Sequence, residues 1–195
     1  MTVLLSSIVA VLSASLPIIE ATIDPQASFY PGDCSLYCMA APEPISVSHH
    51  ISSQAKTHYD AAQMEDGECT TAWVAKGGPG EWFEFTFSPE GLHPDFCAND
   101  QRTGVDSLYI INGYNKTAEI WHDHARVRTL EMSVDGHPVA LITLKDDSRP
   151  QHVALPRTPL RPGMKFRFTI RRVTPGAKYD EVAITEARLD GYGHH

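Results

Sequence analysis

The sequence lacks an excess of basic residues. Its 195 residues include 16 Lys and Arg against 24 Asp and Glu, so the formal net charge is -8 with histidine neutral. Nucleic acids and anionic lipid surfaces attract proteins that carry a basic patch or a positive net charge. The composition therefore argues against nonspecific nucleic-acid binding and against docking on an anionic membrane.

Recognisable catalytic motifs are also missing. The chain contains neither the Gly-x-Ser-x-Gly sequence of a nucleophile elbow nor the His-Glu-x-x-His sequence of a zinc peptidase. His122 and His124 lie two residues apart, and a strand would direct both to one side, which leaves a metal-dependent jelly-roll enzyme as an alternative. The flanking residues do not complete the ligand pattern of a cupin enzyme, because position 116 is Lys and positions 128 and 129 are Arg and Thr. We therefore expect a protein without enzymatic activity.

Apolar residues nowhere recur at helical spacing for three turns, whereas several segments alternate as strands do. Residues 82–87 place Phe83, Phe85 and Phe87 on one face, and Asp135-Gly136 is a hairpin turn pair. Strands are predicted over residues 45–51, 82–87, 107–112, 128–134, 139–144, 151–155, 165–173 and 182–189. About eight short antiparallel strands at this length predict an all-β fold, a jelly-roll β-sandwich of two packed sheets.

The N-terminal stretch has the character of an export signal. The apolar run 3–16 has the length of a signal-peptide core and is too short to span a membrane, and no acidic residue precedes Glu20. Cleavage after Ala14 or after Ala21 is compatible with the pattern, and a retained membrane anchor is the alternative. We predict a signal peptide over residues 1–21. The protein is then secreted, periplasmic or on the cell surface, and it does not insert into a membrane once the signal is removed.

The remaining chain divides by composition. Residues 22–44 contain four prolines and little periodicity, which predicts an N-terminal arm or linker. Residues 45–190 hold the predicted sandwich, and residues 191–195 form a short C-terminal tail.

The chain contains four cysteines, Cys34, Cys38, Cys69 and Cys97. In an exported protein an even count favours disulfides, and four cysteines allow three pairings. We favour Cys34–Cys38, which is local, together with Cys69–Cys97, which would join two loops. A zinc site is the alternative, but it needs a second closely spaced pair, and Cys69 and Cys97 are too far apart in sequence to supply one.

Aromatic residues in two polar loops indicate a ligand site. Trp121 lies among charged residues and histidines, and Tyr114 lies in another loop. Sugar sites combine a flat aromatic ring with a few fixed polar groups, so we predict ligand contacts from Asn112, Tyr114, Lys116, Trp121 and Arg126. In the alternative, Tyr114 packs on the rim of the sandwich and Trp121 covers a sheet edge.

An ordered set of motifs resembles a known family. The motifs are Thr71-Ala72-Trp73-Val74, Gly80-Glu81-Trp82-Phe83-Glu84-Phe85, Ile111-Asn112-Gly113-Tyr114, Arg126-Val127-Arg128, Pro175-Gly176-Ala177-Lys178-Tyr179-Asp180 and Ile184-Thr185-Glu186. Their order over residues 50–190 resembles the discoidin-like domains, also called coagulation-factor type C or galactose-binding-like domains. Within these, the chain is most similar to the bacterial subfamily named for the translocation domain of an NAD glycohydrolase toxin.

This resemblance implies a jelly roll, export and a binding role. The expected partner is a carbohydrate or a protein surface, and a structural or accessory role beside a toxin or secreted enzyme is a further alternative. NAD glycohydrolase activity is not implied, because it belongs to a separate catalytic domain. No cofactor is expected. For a structural calcium ion the resemblance implies Asp66, Thr71 and Glu186 as ligands; in the alternative these residues form only turn hydrogen bonds, since Asp66-Gly67 is a turn pair.

Overall fold

The computed structural model describes residues 15–27, 36–54, 57–96 and 102–193. Within these ranges the chain forms eleven strands, two short α-helices and two 3-10 turns, so the all-β class is confirmed with eleven strands rather than about eight. Among the residues that the structure describes, none of the helices has the length and hydrophobicity of a membrane span.

The strands follow the chain closely. They are β1 (Ile18–Glu20), β2 (Thr22–Ile23), β3 (Ser46–Val47), β4 (Trp73–Ala75), β5 (Trp82–Phe87), β6 (Gly104–Asn112), β7 (Ala125–Val134), β8 (His137–Thr143), β9 (Gln151–Pro159), β10 (Met164–Thr174) and β11 (Val182–Tyr192). The helices are α1 (Leu36–Met39) and α2 (Ala118–Asp123), and the 3-10 turns span Ala61–Met64 and Pro89–Gly91.

Hydrogen bonds connect the strands in the order β2-β9-β6-β11-β7-β10-β5-β3. Strand β4 pairs with β11, β8 pairs with β7, and β1 pairs with β8. The β11–β7 contact is a parallel pairing of only two residues, Val182 with Ala125 and Ala183 with Arg126. This short contact joins the half of the sandwich built on β6, β9 and β11 to the half built on β5, β10, β7 and β8.

The core lies between the two halves and is rich in aromatic rings. The alternating Phe83, Phe85 and Phe87 of β5 are all buried, as the sequence pattern predicts. Phe168 of β10 stacks on Phe83 with ring centroids 5.1 Å apart. Burying such side chains is worth about 1.5–3 kcal/mol each, so the β5–β10 pair anchors the fold.

The segment before Ile45 takes part in this fold. Strand β1 pairs in parallel with β8, and β2 pairs with β9, so a few residues cross from one half of the sandwich to the other. Ala21, between the two strands, is 1% exposed, and its backbone N–H donates to the carbonyl of Thr143. Helix α1 also contributes to the core through Leu36. The ordered fold thus includes residues on the N-terminal side of the predicted range 45–190.

Helix α2 lies where the sequence pattern indicates only a polar loop. Thr117 caps the helix, since its side chain accepts a hydrogen bond from the Ile120 N–H. The helix has six residues, which is too short to show the three-turn periodicity by which helices are recognised in sequence.

The predicted disulfides involve residues outside the described ranges. Cys34 and Cys97 lie there, as does most of the predicted signal peptide. Cys38 is half-buried and Cys69 is exposed, and neither forms a disulfide within the described part of the chain. The pairing stays a prediction.

Candidate functional site

One end of the sandwich is organised by Asn112, at the end of β6. Its side chain is fully buried. The amide oxygen accepts a 2.9 Å hydrogen bond from the Val127 N–H, and the amide nitrogen donates a 2.8 Å bond to the Val127 carbonyl. Asn112 therefore takes the place of a strand neighbour and fixes the end of β6 against β7.

Trp121 of α2 packs directly on this corner. Its indole N–H donates to the Asn112 carbonyl at 2.8 Å, and the ring is 7% exposed. Gly113 has φ +87°, and a Cβ at this position would lie 2.5 Å from the indole nitrogen. Only glycine therefore permits the close approach of α2 to the end of β6.

Arg126 stabilises the C-terminal end of α2. Its guanidinium lies 4.4 Å from the centre of the Trp121 ring and donates to the carbonyls of Trp121, His122 and His124. Its Nε also donates to Asp146 at 2.7 Å. A buried cation that satisfies the last carbonyls of a helix and pairs with a carboxylate stabilises the helix end.

The 175–181 loop docks on the C-terminal end of α2. The N–H groups of Lys178 and Tyr179 both donate to the Asp123 carbonyl, at 3.1 and 2.9 Å, and Lys178 Nζ lies 2.9 Å from the Asp123 carboxylate. A Cβ on Gly176 would meet the same carbonyl at 2.3 Å, so glycine is required for this contact. The loop is thereby fixed in place together with Tyr179.

A groove of about 330 Å³ opens between this loop, α2 and residues 51–54 and 57–59. Aromatic rings follow one another along it. Tyr59 meets Tyr114 edge-on at 6.3 Å, Tyr114 meets His124 at 5.4 Å, and His124 lies 4.8 Å from Tyr179 in a tilted stack. Tyr179 is 47% exposed, an unusual exposure for a large ring in this fold. We call this site the aromatic groove; its lining is Ile51, Gln54, Thr57, Tyr59, Tyr114, Lys116, Ile120, Asp123, His124, Tyr179 and Glu181.

The rim of the aromatic groove carries polar and charged groups. Lys116 and Glu181 form no ion pair within the described part of the chain, whereas Asp123 is held by Lys178. Burial raises the pKa of the Tyr114 hydroxyl above its ordinary value, so this group is neutral and able to donate a hydrogen bond near pH 7. An apolar wall with separated polar groups suits a ligand that is itself amphipathic.

The five predicted ligand residues are divided by α2. Tyr114 and Lys116 line the aromatic groove. Trp121 lines a separate cavity of about 250 Å³ beside Asp146 and Asp147. Asn112 and Arg126 are buried in the framework described above, so their side chains support the site from within.

The two histidines do not converge on a common metal position. His122 lies within α2 and borders the Trp121 cavity, whereas His124 follows the helix and lines the aromatic groove. His124 Nδ1 lies 3.0 Å from the Ile120 carbonyl. No group of three or more His, Cys, Asp or Glu side chains suited to hold a metal ion occurs in the ranges that the structure describes.

The predicted calcium ligands do come together. The Thr71 hydroxyl lies 2.9 Å from an Asp66 carboxylate oxygen and 2.9 Å from the Glu68 carbonyl. Glu186 is 2% exposed and contacts Asp66 and the Gly67 N–H. Its Oε1 has no hydrogen-bond partner in the described part of the chain. Burial and the neighbouring Asp66 raise the pKa of Glu186 to about 8, because the charged form is poorly solvated there and is repelled by a second carboxylate.

Sequence reasoning missed Tyr59, Tyr179 and His124 as members of one site. Tyr179 stands in the Pro-Gly-Ala-Lys-Tyr-Asp motif, which shows that a loop is present but gives no sign of which element the loop contacts. The pairing of Val182 with Ala125 brings that loop beside α2, and such a contact between distant segments is invisible in a local pattern.

Comparison with known families identifies the fold independently. A family model described as the NAD glycohydrolase translocation F5/8 type C domain matches residues 36–190, a range that contains the aromatic groove and the Asp66–Glu186 pair. This match confirms the discoidin-like resemblance. No curated protein sequence matches the chain.

Solved structures also share the architecture. The CBM32-1 and CBM32-2 domains of Clostridium perfringens ZmpB in complex with GalNAc align with a TM-score of 0.54 at 12% identity, covering 94% of this chain and 42% of that chain. The same domains without GalNAc in their description give a TM-score of 0.51 at 11% identity, covering 94% and 43%. The chain thus spans less than half the length of these solved chains, and the likeness establishes the jelly-roll fold.

Proposed function

Because this chain belongs to the family of NAD glycohydrolase translocation F5/8 type C domains, we propose that it is an exported, non-catalytic module that binds carbohydrate in the aromatic groove. The observation that carries this proposal is Tyr179, a half-exposed ring held on His124 by a docked loop. Sugar recognition needs a flat ring for the apolar face of the pyranose and fixed polar groups for its hydroxyls. The groove offers both.

The residues take distinct roles in this proposal. Tyr179 is the stacking surface, and Lys116 and Glu181 at the rim bind hydroxyl or amide groups. His124 donates from Nδ1 to the Ile120 carbonyl, so Nε2 is the ring nitrogen left to contact the ligand. Asn112, Trp121 and Arg126 hold α2 in position and do not touch the sugar.

A sugar bound to a protein of the same fold supports this class of ligand. A solved structure with this fold contains GalNAc, so an amino sugar is a rational first probe. The identity of 12% does not carry that specificity to this chain, and a broad panel of glycans is therefore required.

The direct test is a glycan array probed with the wild-type chain and two tyrosine variants. Tyr179→Ala removes the stacking surface, and we expect it to lower the affinity for the bound glycan at least about tenfold, as loss of an aromatic hot spot does. Tyr109→Ala is the matched control, because Tyr109 also stacks on a histidine, His152, at 4.9 Å, but it does not line the groove.

Binding retained by Tyr109→Ala and lost by Tyr179→Ala supports the proposal. Equal binding by both variants would remove the aromatic groove from the account, and a wild-type chain that binds no glycan would remove carbohydrate altogether. Thermal unfolding of each variant separates loss of contact from loss of fold.

We further propose that a calcium ion stabilises the domain between Asp66 and Glu186. Carboxylate, hydroxyl and carbonyl oxygens are the donors that calcium prefers. The ion would be bound by the buried Glu186 carboxylate, whose Oε1 has no hydrogen-bond partner in the described part of the chain. Its role is to tie the 65–72 loop to β11.

Calcium at about 10 mM, above the Kd range of extracellular modules, should raise the melting temperature of the wild-type chain and leave Glu186→Gln unchanged. Glu68→Gln is the control, since this exposed carboxylate lies in the same loop and should respond like wild type. A rise of equal size in Glu186→Gln would contradict the assignment.

A further inference from the structure

A third cavity lies far from the aromatic groove, on the outer face of β5, β10 and β7. It has a volume of about 280 Å³ and is lined by Glu84, Ser133, Gly136, Lys165 and Arg167. Strand register places Arg167 between Glu84 and Ser133. Gly136 belongs to the turn after β7, whereas α2 precedes β7, so the two sites lie at opposite ends of that strand.

A buried carboxylate orients two cations at this cavity. The Glu84 side chain is only 8% exposed. Arg167 Nε lies 2.8 Å from Glu84 Oε2, and Lys165 Nζ lies 3.4 Å from Oε1. One negative charge therefore holds two positive charges side by side, and the three side chains together carry one excess positive charge.

Arg167 is held rigidly and has hydrogen-bonding capacity left over. Its guanidinium stacks 3.9 Å above the Trp82 ring, and Nε is used by Glu84. Among the described residues the two terminal nitrogens donate to no protein group, and the side chain is 40% exposed. A fixed guanidinium whose fork faces solvent is the arrangement that binds carboxylate, sulfate or phosphate groups in two contacts.

The nearby charges do not cancel this excess. Asp135 accepts from the Lys165 backbone N–H at 2.9 Å and is paired with Arg161 at 3.4 Å. Counting Arg161 and Lys165 with Arg167, three cations face the two carboxylates Glu84 and Asp135. In a chain of net charge -8, such a local positive field stands out and attracts anions.

We propose that this cavity, here called the Arg167 site, binds an oxyanion: the carboxylate of an acidic sugar or the sulfate group of a sulfated one. Its volume of about 280 Å³ is slightly below the range of about 300–1,000 Å³ for drug-sized ligands, which fits a single anionic group. Arg167 supplies two parallel hydrogen bonds, Lys165 adds a second charge, and the Ser133 hydroxyl borders the cavity. The site does not depend on the aromatic groove, and either site is able to function without the other.

The test follows the side-chain Nε–H signals of Arg167 and Arg171 by NMR during titration with sodium sulfate, sodium glucuronate and neutral glucose, with ionic strength held constant by sodium chloride. We expect a saturable shift at Arg167 for at least one of the two anions and none for glucose. Saturation by sulfate alone, or by glucuronate alone, identifies the source of the oxyanion.

Three variants complete the test, two within the cavity and one as a control. Arg167→Gln and Lys165→Gln should each weaken binding about tenfold or more, the cost expected for loss of a charge-assisted hydrogen bond. Because Arg167→Gln lacks the Arg167 side-chain signal, binding to all variants is followed at the backbone amides of Ser133 and Gly136, which line the cavity. Arg171→Gln is matched, because Arg171 lies on the same strand and pairs with Glu131 at 2.7 Å but does not line the cavity, and it should bind like wild type. Lys165→Gln keeps the test valid if Arg167→Gln unfolds.

Equal, non-saturating shifts at Arg167 and Arg171 would show charge screening only and overturn the proposal. Unchanged binding in both Arg167→Gln and Lys165→Gln would do the same. Tyr179→Ala should leave the titration unaffected, so the Arg167 site and the aromatic groove are tested separately.

Discussion

Asn112 is the residue on which the geometry of the aromatic groove most directly depends. Its side chain replaces two backbone hydrogen bonds at Val127, and its carbonyl receives the indole N–H of Trp121. Asn112, Val127 and Trp121 are all buried. Truncation of the Asn112 side chain would leave the N–H and the carbonyl of Val127 unpaired, and each such buried group costs about 1–3 kcal/mol.

Asn112→Ala should therefore lower the free energy of unfolding by about 3 kcal/mol, measured by urea denaturation. Asn115→Ala is the control, because the Asn115 amide donates only a 3.3 Å bond to the Ser148 carbonyl, and its cost should stay below about 1 kcal/mol. Equal, small losses in both variants would show that Asn112 is not a structural clamp.

Glu186 predicts a pH dependence of stability. Its pKa is raised to about 8 from 4.5, first by burial and then by Asp66. Between these values the folded chain holds a proton that the unfolded chain releases. The contribution of Glu186 to stability is therefore complete below about pH 4.5, falls as the pH rises and is lost above about pH 8.

In the presence of EDTA, the wild-type chain should lose stability between about pH 5.5 and about pH 8.5 by on the order of a few kcal/mol more than Glu186→Gln does. Urea denaturation at the two pH values measures this difference. Parallel behaviour of the wild type and Glu186→Gln would show that Glu186 ionises normally in the folded chain.

At the scale of elements, the contacts of β1 and β2 distinguish the two predicted cleavage positions of the signal peptide. Three residues of β1 pair with β8, the Leu141 N–H donates to the Pro17 carbonyl, and Ala21 is buried. Cleavage after Ala14 would keep all of these contacts, whereas cleavage after Ala21 would remove β1 and expose the edge of β8.

The proposed export predicts a mature protein that begins near Ser15, which mass spectrometry of protein recovered from the native host would test. A chain that starts at Thr22 should have a free energy of unfolding about 3 kcal/mol lower than one that starts at Ser15. The reason is that it loses several backbone hydrogen bonds between β1 and β8, each worth about 1 kcal/mol. Equal melting temperatures of the two chains would show that β1 is dispensable.

Strand patterns were predictable because each depends on neighbouring residues. Strand β5 has the limits that its alternation gives, and the β7–β8 hairpin turns at Asp135-Gly136 with positive φ at both residues. The short elements β1, β2, β4 and α2 offer too few residues for a period to show. Their conformations are set by partners distant in sequence, such as β11 for β4.

For the whole molecule, the fold class and the family were predictable, and the site was predictable only in part. Tyr114 and Lys116 were predicted and line the aromatic groove together with Tyr59 and Tyr179, which come from segments more than 50 residues away on either side. Trp121 was chosen for its polar surroundings in sequence, but the indole N–H is satisfied by Asn112. Hydrogen bonds of that kind are tertiary and leave no local signature.

The proposed function places carbohydrate at the α2 end of the sandwich. The measurement that tests it most directly is mapping of backbone amide shifts during titration with the glycan that binds most strongly on the array. Binding in the aromatic groove should give saturable shifts confined to residues 51–59, 113–124 and 175–181. Shifts centred instead on the Asp135-Gly136 end of the sandwich, with these three segments unmoved, would contradict it.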